Sequence, residues 1–283
     1  MIDLHTHTRC SDGTDTPAEL VRKASAQGLK VIALTDHDTT AGWQQARHAL
    51  PSHLDLVLGA EISTLTTDGI SVHMLGLLFD GEHQGMQTML EEARDQRLPR
   101  MRKMIELLNA DGIDISMEDV EAAMPEGATL GRPHLADALV AKRVVPNRDQ
   151  AFADLLHNDS KYYVTHIAPT PEAAIATIRA AGGVSVIAHA YASHRGATLA
   201  PDSFASLIQA GLHGIEVDHR DHSTQERFEL ARIAVECDLV ITGSSDYHGS
   251  GKLNLLGENV TAPEQWERLE SLANARRVVR RES

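Results

Sequence analysis

The densest chemistry in this chain of 283 residues lies at its start, in Ile2-Asp3-Leu4-His5-Thr6-His7 and then Asp12. Ile2 and Leu4 alternate with Asp3 and predict a short strand. Residues two apart on a strand point to the same side, so His5 and His7 present two imidazoles to one face. Two such rings can chelate a divalent metal, and Asp12 can serve that ion or a neighbouring one. A lone His-x-His also arises among ordinary half-buried histidines, so the reading depends on ligands elsewhere.

Those ligands stand at the ends of other predicted strands. Residues 30–35 form a near-continuous apolar run, the mark of a parallel strand covered on both faces, and lead into Asp36-His37-Asp38. Residues 56–60 predict a strand ending on Glu61. Residues 63–67 and 71–79 flank an Asp68-Gly69 hairpin turn, with His73 on the returning strand. Residues 184–188 end on His189, 214–217 predict another strand, and 239–243 lead into Ser245-Asp246-Tyr247-His248. Five independent strands ending in His5/His7, His37, Glu61, His189 and Asp246/His248 exceed coincidence. They imply a metal site at the carboxyl ends of strands in an α/β barrel or doubly wound sheet.

The elements between these strands read as helices. Thr16-Pro17 caps a helix over 18–27 that Gly28 stops. Further helices are predicted over 42–49, from Thr170-Pro171 to Gly182-Gly183, over 223–237 and over 263–276. Residues 276–281 read as a solvated basic end. Residues 84–109 have charged helical periodicity broken at Pro99, and shorter helical pieces follow, one opened by Arg132-Pro133-His134. The expected organisation is an α/β body over 1–80 and 166–283 with a mostly helical insertion or cap over 81–165, and no internal repeat.

Composition narrows the function. At 42% hydrophobic residues the chain can bury a full core. A net charge of −14 argues against binding duplex DNA through its backbone, and 4% aromatic residues argue against a base-stacking platform. A small phosphorylated substrate stays compatible, because bound metal ions reverse the charge of an acidic pocket. Cys10 and Cys237 define no disulfide framework. With no signal-like leader and no membrane-length apolar run, the expectation is a cytoplasmic protein with no membrane partner.

The motifs H-T-H at 5–7 with Asp12, T-D-H-D at 35–38, Glu61 with His73, and His189 followed by S-D-Y-H at 245–248 resemble the PHP (polymerase and histidinol phosphatase) superfamily. The resemblance implies a distorted (β/α)7 barrel holding three divalent metal ions. It places His5, His7, Glu61 and Asp246 around the first ion. Glu61 bridges to a second held by His73 and His189, and Asp12, His37 and His248 hold the third. Nitrogen and oxygen donors leave Zn, Mn and Fe(II) all open. The implied reaction is phosphoester hydrolysis by metal-activated hydroxide, with no covalent intermediate.

The insertion and the G-R-P-H at 131–134 look like one branch of that superfamily. Its members release the 3′-phosphate of nucleoside 3′,5′-bisphosphates, leaving a 5′-nucleotide such as AMP, and some trim short RNA from the 5′ end. By resemblance Arg132, His134 and Arg195 contact substrate phosphate, a role that suits arginine's bidentate fork. The loop after His189 reads Ala190-Tyr191-Ala192-Ser193-His194-Arg195, where branch members commonly have His-Pro-Gly-Arg. Alternatives are another small phosphomonoester such as histidinol phosphate, or a non-catalytic metal-stabilised interaction module.

Other residues are weighed individually. Asp36 and Asp38 read as turn-forming or ligand-orienting residues. His219 and His222 either serve substrate and leaving group or lie in a solvated loop. Lys161 either reaches a phosphate or is a surface lysine. His48, His53, His83, His157, His166 and His213 have no ligand-type context and read as filler.

Overall fold

Thr16 and Pro17 open the first helix as their types dictate. The Thr16 hydroxyl accepts the Glu19 N–H at 3.2 Å, and the Glu19 carboxylate accepts the Thr16 N–H at 2.8 Å. In the computed structural model, which describes residues 1–275 and 278–280, this helix joins a mixed seven-stranded sheet nearly closed into a barrel and surrounded by helices.

In chain order the body comprises β1 (Ile2–Asp3), α1 (Pro17–Ala26), β2 (Val31–Leu34), α2 (Trp43–Ala49), β3 (Asp55–Leu65) and β4 (Ser71–Leu77). Next come α3 (Gln84–Asp95), α4 (Arg97–Ala110), α5 (Met117–Ala123), α6 (Arg132–Ala141) and α7 (Arg148–Ala151), the last continued by a π-turn over Phe152–Leu156. Then α8 (Pro171–Ala180), β5 (Val184–Ala188), α9 (Phe204–Ala210), β6 (Gly214–Asp218), α10 (Thr224–Glu236), β7 (Val240–Gly243) and α11 (Pro263–Leu272) complete the chain. Strands pair in sequence order. β1–β3 and β5–β7 run parallel, and β4 runs antiparallel to both neighbours. A Thr6–Tyr247 bridge draws the two edges together.

The reversal of β4 matters for the site. His73, near the start of β4, pairs with Ser63 and Ala188 and so reaches the rim where the parallel strands finish. Glu61 does not end its strand as expected but lies within β3. The first part of β3 pairs with β2 as far as Leu58, and the rest pairs with β4 from Gly59 to Leu65. β3 therefore outruns its parallel neighbour, and Glu61 stands where β2 has stopped.

Strand residues alternate between two apolar clusters. Ile32, Leu34, Leu56 and Leu58 pack with helix residues such as Leu20, Ile175 and Leu230, while Val31, Ala33, Val57 and Val186 pack with Trp266 and Leu269 of α11. Residues of α4–α6 build a third cluster, including Met104, Leu108 and Leu135, whereas α3 sends Met86 and Leu90 into the barrel core. Pro99 sits in the first turn of α4, where its missing N–H costs nothing, so the break falls before it, at Gln96.

Two expectations about the C-terminal end need correction. α11 stops at Leu272, because the Asn274 and Ala275 N–H groups turn to the Gly182 carbonyl. Val279 pairs with Leu56, and Arg280 binds Asp55 and Glu270, so this part of the end is docked rather than free. Arg276, Arg277 and Arg281 lie outside the described residues. The seven-residue helix α9 was not expected from sequence. Among the described residues no helix is long and apolar enough to cross a membrane.

Candidate metal centre

The nine expected ligands converge at one end of the sheet. Glu61 is their hub, buried to 1% exposure. Its Oε2 lies 3.3, 3.1 and 3.0 Å from His5 Nε2, His7 Nε2 and His37 Nδ1, and its Oε1 lies 2.7 and 3.0 Å from His73 Nδ1 and His189 Nε2. Asp12 stands on the other side, 3.2 Å from His248 Nε2 and 3.6 Å from His37 Nε2. Asp246 Oδ1 lies 3.5, 3.4 and 3.4 Å from His5, His7 and His248. Three ligand groupings emerge, each with donor atoms within 4.8 Å of one another: His7-Asp12-His37-His248, His5-His7-Glu61 and His37-Glu61-His73.

The hydrogen bonds behind these rings test whether cations fit. His5 Nδ1 is 3.1 Å from Glu216, and His248 Nδ1 is 2.8 Å from the Asp246 carbonyl. A ring nitrogen facing such acceptors carries a proton, so neutral His248 has a bare Nε2. Burial of His5 is outweighed by the charges of Glu61, Glu216 and Asp246, which raise its pKa well above the ordinary range and keep a proton on Nε2 that a cation would displace. Bare nitrogens facing carboxylates repel unless a cation lies between them. His37 Nδ1 and His248 Nε2 are indeed buried without a hydrogen-bond partner. Burial pulls His248 down to about 4 and, with Arg195, pulls His189 down to about 3, so both are neutral and ready as ligands. Burial opposes protonation of His7 too, but its hydrogen bonds to Asp246 and Glu61 outweigh that and hold it at about 9. The donor set fits hard or borderline divalent ions.

Three of the six described non-glycine residues with positive φ lie at or beside the centre. Asp38, His189 and Asp246 have φ of 51°, 30° and 53°, values that cost non-glycine residues about 1–3 kcal/mol each. Gly13 is required for a different reason: a Cβ there would stand 2.6 Å from the His7 carbonyl oxygen.

A cavity of about 840 Å³ lies over the centre, lined by Asp12, His37, Glu61, His73, His189, Asp246 and His248 and walled by residues of α4, α6 and α7. Arg132 and Arg195 both line it. Arg132 donates to the Leu156 carbonyl at 2.7 Å and to Asn158 at 2.8 Å. Arg195 donates to Asp246 Oδ2 at 3.0 Å and to Asp221 at 2.6 Å. Lys252 Nζ joins it on Asp246 Oδ2 at 2.9 Å.

The remaining candidates are placed differently. His134 is 1% exposed, and its Nδ1 accepts the Gly131 N–H at 3.0 Å, which caps α6. Lys161 pairs with Asp111, which follows α4, and is 70% exposed. His219 is fully buried, with Nδ1 accepting the Asp221 N–H at 3.0 Å, so its proton sits on Nε2, 3.5 Å from Asp246 Oδ2. His222 accepts the Tyr191 N–H and donates to the Val217 carbonyl, which ties two loops together. Asp36 takes the Thr8 N–H and the Thr8 and Ser11 hydroxyls, shaping the loop that carries Asp12. Asp38 takes the Ser63 N–H at 2.8 Å and the Arg97 guanidinium, joining β3 to α4.

Sequence reasoning missed Glu216. It is fully buried, holds His5 through Oε1 and accepts the His189 N–H at 2.8 Å through Oε2. The signal was present: a lone glutamate inside an apolar strand needs a buried partner. His157 and His166, read as filler, line the cavity.

A strand-end cluster of buried histidines and carboxylates under a cation-walled cavity defines a class of metal-assisted hydrolases. The PHP domain family model matches residues 3–149, and the chain belongs to that family. Among curated relatives, a 5′-3′ exoribonuclease of Haemophilus influenzae is 34% identical, over 91% of this chain and 93% of that one. A 3′,5′-nucleoside bisphosphate phosphatase of Chromobacterium violaceum is 32% identical, over 89% and 88%. The structure of a protein from Bifidobacterium adolescentis described as a metal-dependent phosphoesterase superposes with a TM-score of 0.89 at 41% identity, covering 96% of each chain. This chain is therefore a metal-dependent phosphoesterase, which sets aside the non-catalytic module.

Proposed function

We propose that the chain hydrolyses the 3′-phosphate of nucleoside 3′,5′-bisphosphates, with short 5′-phosphorylated RNA as a second substrate. The carrying observation is that Arg100 and Arg132 line the cavity above the ligands with no carboxylate partner among the described residues, while its other cations are paired with carboxylates and its buried carboxylates surround the proposed ions. Such a cavity selects an anion carrying more than one negative charge. At about 840 Å³ it lies toward the upper end of the range of about 300–1,000 Å³ for small-molecule sites, leaving room for a nucleotide and part of a second. The relatives named a bisphosphate phosphatase and an exoribonuclease support this reading.

Three divalent ions, Mn, Zn or Fe, are the proposed cofactors. His5, His7, Glu61 and Asp246 would hold one, Glu61, His73 and His189 the second, and Asp12, His37 and His248 the third. When bound, such ions polarise a phosphoryl group and activate water at neutral pH. The chain's own residues do the rest. Glu216 fixes the tautomer of His5. Arg195 and Lys252 hold Oδ2 of Asp246, which turns Oδ1 toward His5, His7 and His248. In this reading Arg132 and Arg195, which line the cavity, would neutralise phosphate oxygens, and His219 keeps a proton at Nε2 beside Asp246. A cytoplasmic location suits a nucleotide substrate.

Comparing kcat/KM for 3′-phosphoadenosine 5′-phosphate and histidinol phosphate tests the substrate class. A clear preference for histidinol phosphate would replace the nucleotide reading with the alternative phosphomonoesterase.

A further inference from the structure

The loop that carries Asp12 is gripped from two directions. Its own turn is closed by the Ser11 and Gly13 N–H groups, which both donate to the Thr8 carbonyl, and Asp36 takes the Thr8 and Ser11 hydroxyls. The carbonyls of Cys10, Ser11 and Asp12 each meet a donor from residues 129–148. The Thr129 N–H donates to Cys10 at 2.9 Å, and His134 donates to Ser11. Arg148 Nη1 reaches the Asp12 carbonyl at 3.4 Å, across 136 residues of sequence. Three successive carbonyls of one ligand-bearing loop are thus satisfied by three residues distant in the chain.

His134 is suited to this contact. Its Nδ1 accepts the Gly131 N–H at 3.0 Å, so the proton lies on Nε2, the nitrogen that faces Ser11. Burial pulls the ring below its ordinary pKa, which keeps it neutral and leaves Nδ1 able to accept. With both nitrogens engaged, one imidazole ties the start of α6 to the Asp12 loop. Arg148 ties in a second loop. Asp137 of α6 holds its guanidinium through two hydrogen bonds, and Nη1 also reaches the Gly251 carbonyl at 3.5 Å, just past His248. A Cβ at Gly251 would collide with that guanidinium. The two loops also join directly: the Thr14 N–H donates to the His248 carbonyl at 3.0 Å, and the Ser250 N–H to the Thr14 hydroxyl at 2.8 Å. Residues 129–148 therefore brace the two loops that bring Asp12 and His248 within 3.2 Å of each other.

We propose that His134 and Arg148, with the Thr129 N–H, position Asp12 for an ion at Asp12, His37 and His248, so that seating of α6 on this loop and ion binding are one coupled equilibrium. An ion that holds Asp12 in place favours the seated α6, and a seated α6 raises affinity for the ion by the same factor. The ion at this place rests on the three-ion reading above, whereas the brace between α6 and the loop does not. Two substitutions separate the contacts of His134. Asparagine keeps an acceptor near Nδ1 but falls short of Ser11. Asp119 shows the reach from the equivalent position of α5, where it accepts the Ser116 N–H at 2.9 Å. Glutamine carries an N–H donor as far out as Nε2.

The test titrates Mn²⁺ into the metal-stripped full chain, with chelator competition counting the ions bound, for the wild type, His134→Asn and His134→Gln. In His134→Asn one Mn²⁺ per chain should bind about 10-fold more weakly, with the other ions and the metal-free unfolding midpoint unchanged. His134→Gln should restore the wild-type affinity. A glutamate-specific protease reads the seating of α6, since Glu126 is exposed in the loop before that helix. Mn²⁺ should slow cleavage after Glu126 in the wild type and in His134→Gln, but not in His134→Asn. Unchanged Mn²⁺ binding in His134→Asn would overturn the proposal. So would an equal loss in both variants, or a fall of both metal-free midpoints, because either would mean a structural role. If the wild type binds fewer than three Mn²⁺, the three-ion reading fails and protection after Glu126 decides alone. Protection lost in His134→Asn upholds the brace, and protection kept there, or absent from the wild type, overturns it.

Discussion

Glu216 holds His5 from behind: its Oε1 lies 3.1 Å from His5 Nδ1, and both side chains are fully buried. The other oxygen takes the backbone N–H of His189, so one carboxylate aligns ligands from two strands. Glu216→Gln keeps the shape but removes the charge that fixes the His5 tautomer. Metal affinity should fall about 10- to 100-fold, measured by competition with a chelator. Unchanged affinity would mean that Glu216 only fills space.

His37 and Asp12 face each other at 3.6 Å. His37→Ala or Asp12→Asn should lower kcat by about 100-fold or more while the circular dichroism spectrum stays native. Retained turnover in either variant would remove these two residues from the chemistry.

Metal uptake should release protons. Burial lowers the affinity of His7 for a proton, but its bonds to Asp246 and Glu61 raise its pKa from 6.5 to about 9, and a ligand imidazole must be neutral. Calorimetric titration near neutral pH, in buffers of different ionisation enthalpy, should show this release. The sign for stability follows from the raised pKa. The contribution of protonated His7 to the metal-free chain is complete below about 6.5 and is lost as pH rises through about 9. The unfolding midpoint of metal-free protein should fall across that window. A flat profile would contradict the assignment.

Arg97 and Asp38 form an ion pair that joins α4 to the loop after β2, with Asp38 fully buried and Arg97 also donating to Ser63 and the Leu130 carbonyl. Arg97→Met leaves the Asp38 charge without its partner and should cost about 3–5 kcal/mol in urea unfolding. Adding Asp38→Asn should recover part of the loss, because the unpaired charge is then gone. No recovery would assign the loss to packing.

The convergence of the nine candidate ligands was legible because strand ends are fixed points of the fold: an apolar run that stops on a histidine says where that histidine goes. Glu61 was found although its strand does not end there, since the local pattern cannot show that β3 changes partner from β2 to β4. Residues acting across the barrel were hidden. Glu216 reaches His5 over 211 residues of sequence, and Arg97 reaches Asp38 over 59. The Arg132-Pro133-His134 motif was legible as a helix start, but spacing alone could not show that the His134 ring is used to cap it.

The most direct test of the functional account is phosphate release from 3′-phosphoadenosine 5′-phosphate by protein stripped of metal and reloaded with Mn²⁺, with 5′-AMP and 3′-AMP assayed beside it. The account predicts rapid release from the bisphosphate, 5′-AMP as the product, and little turnover of either monophosphate. Equal turnover of all three, or release from none, would contradict it.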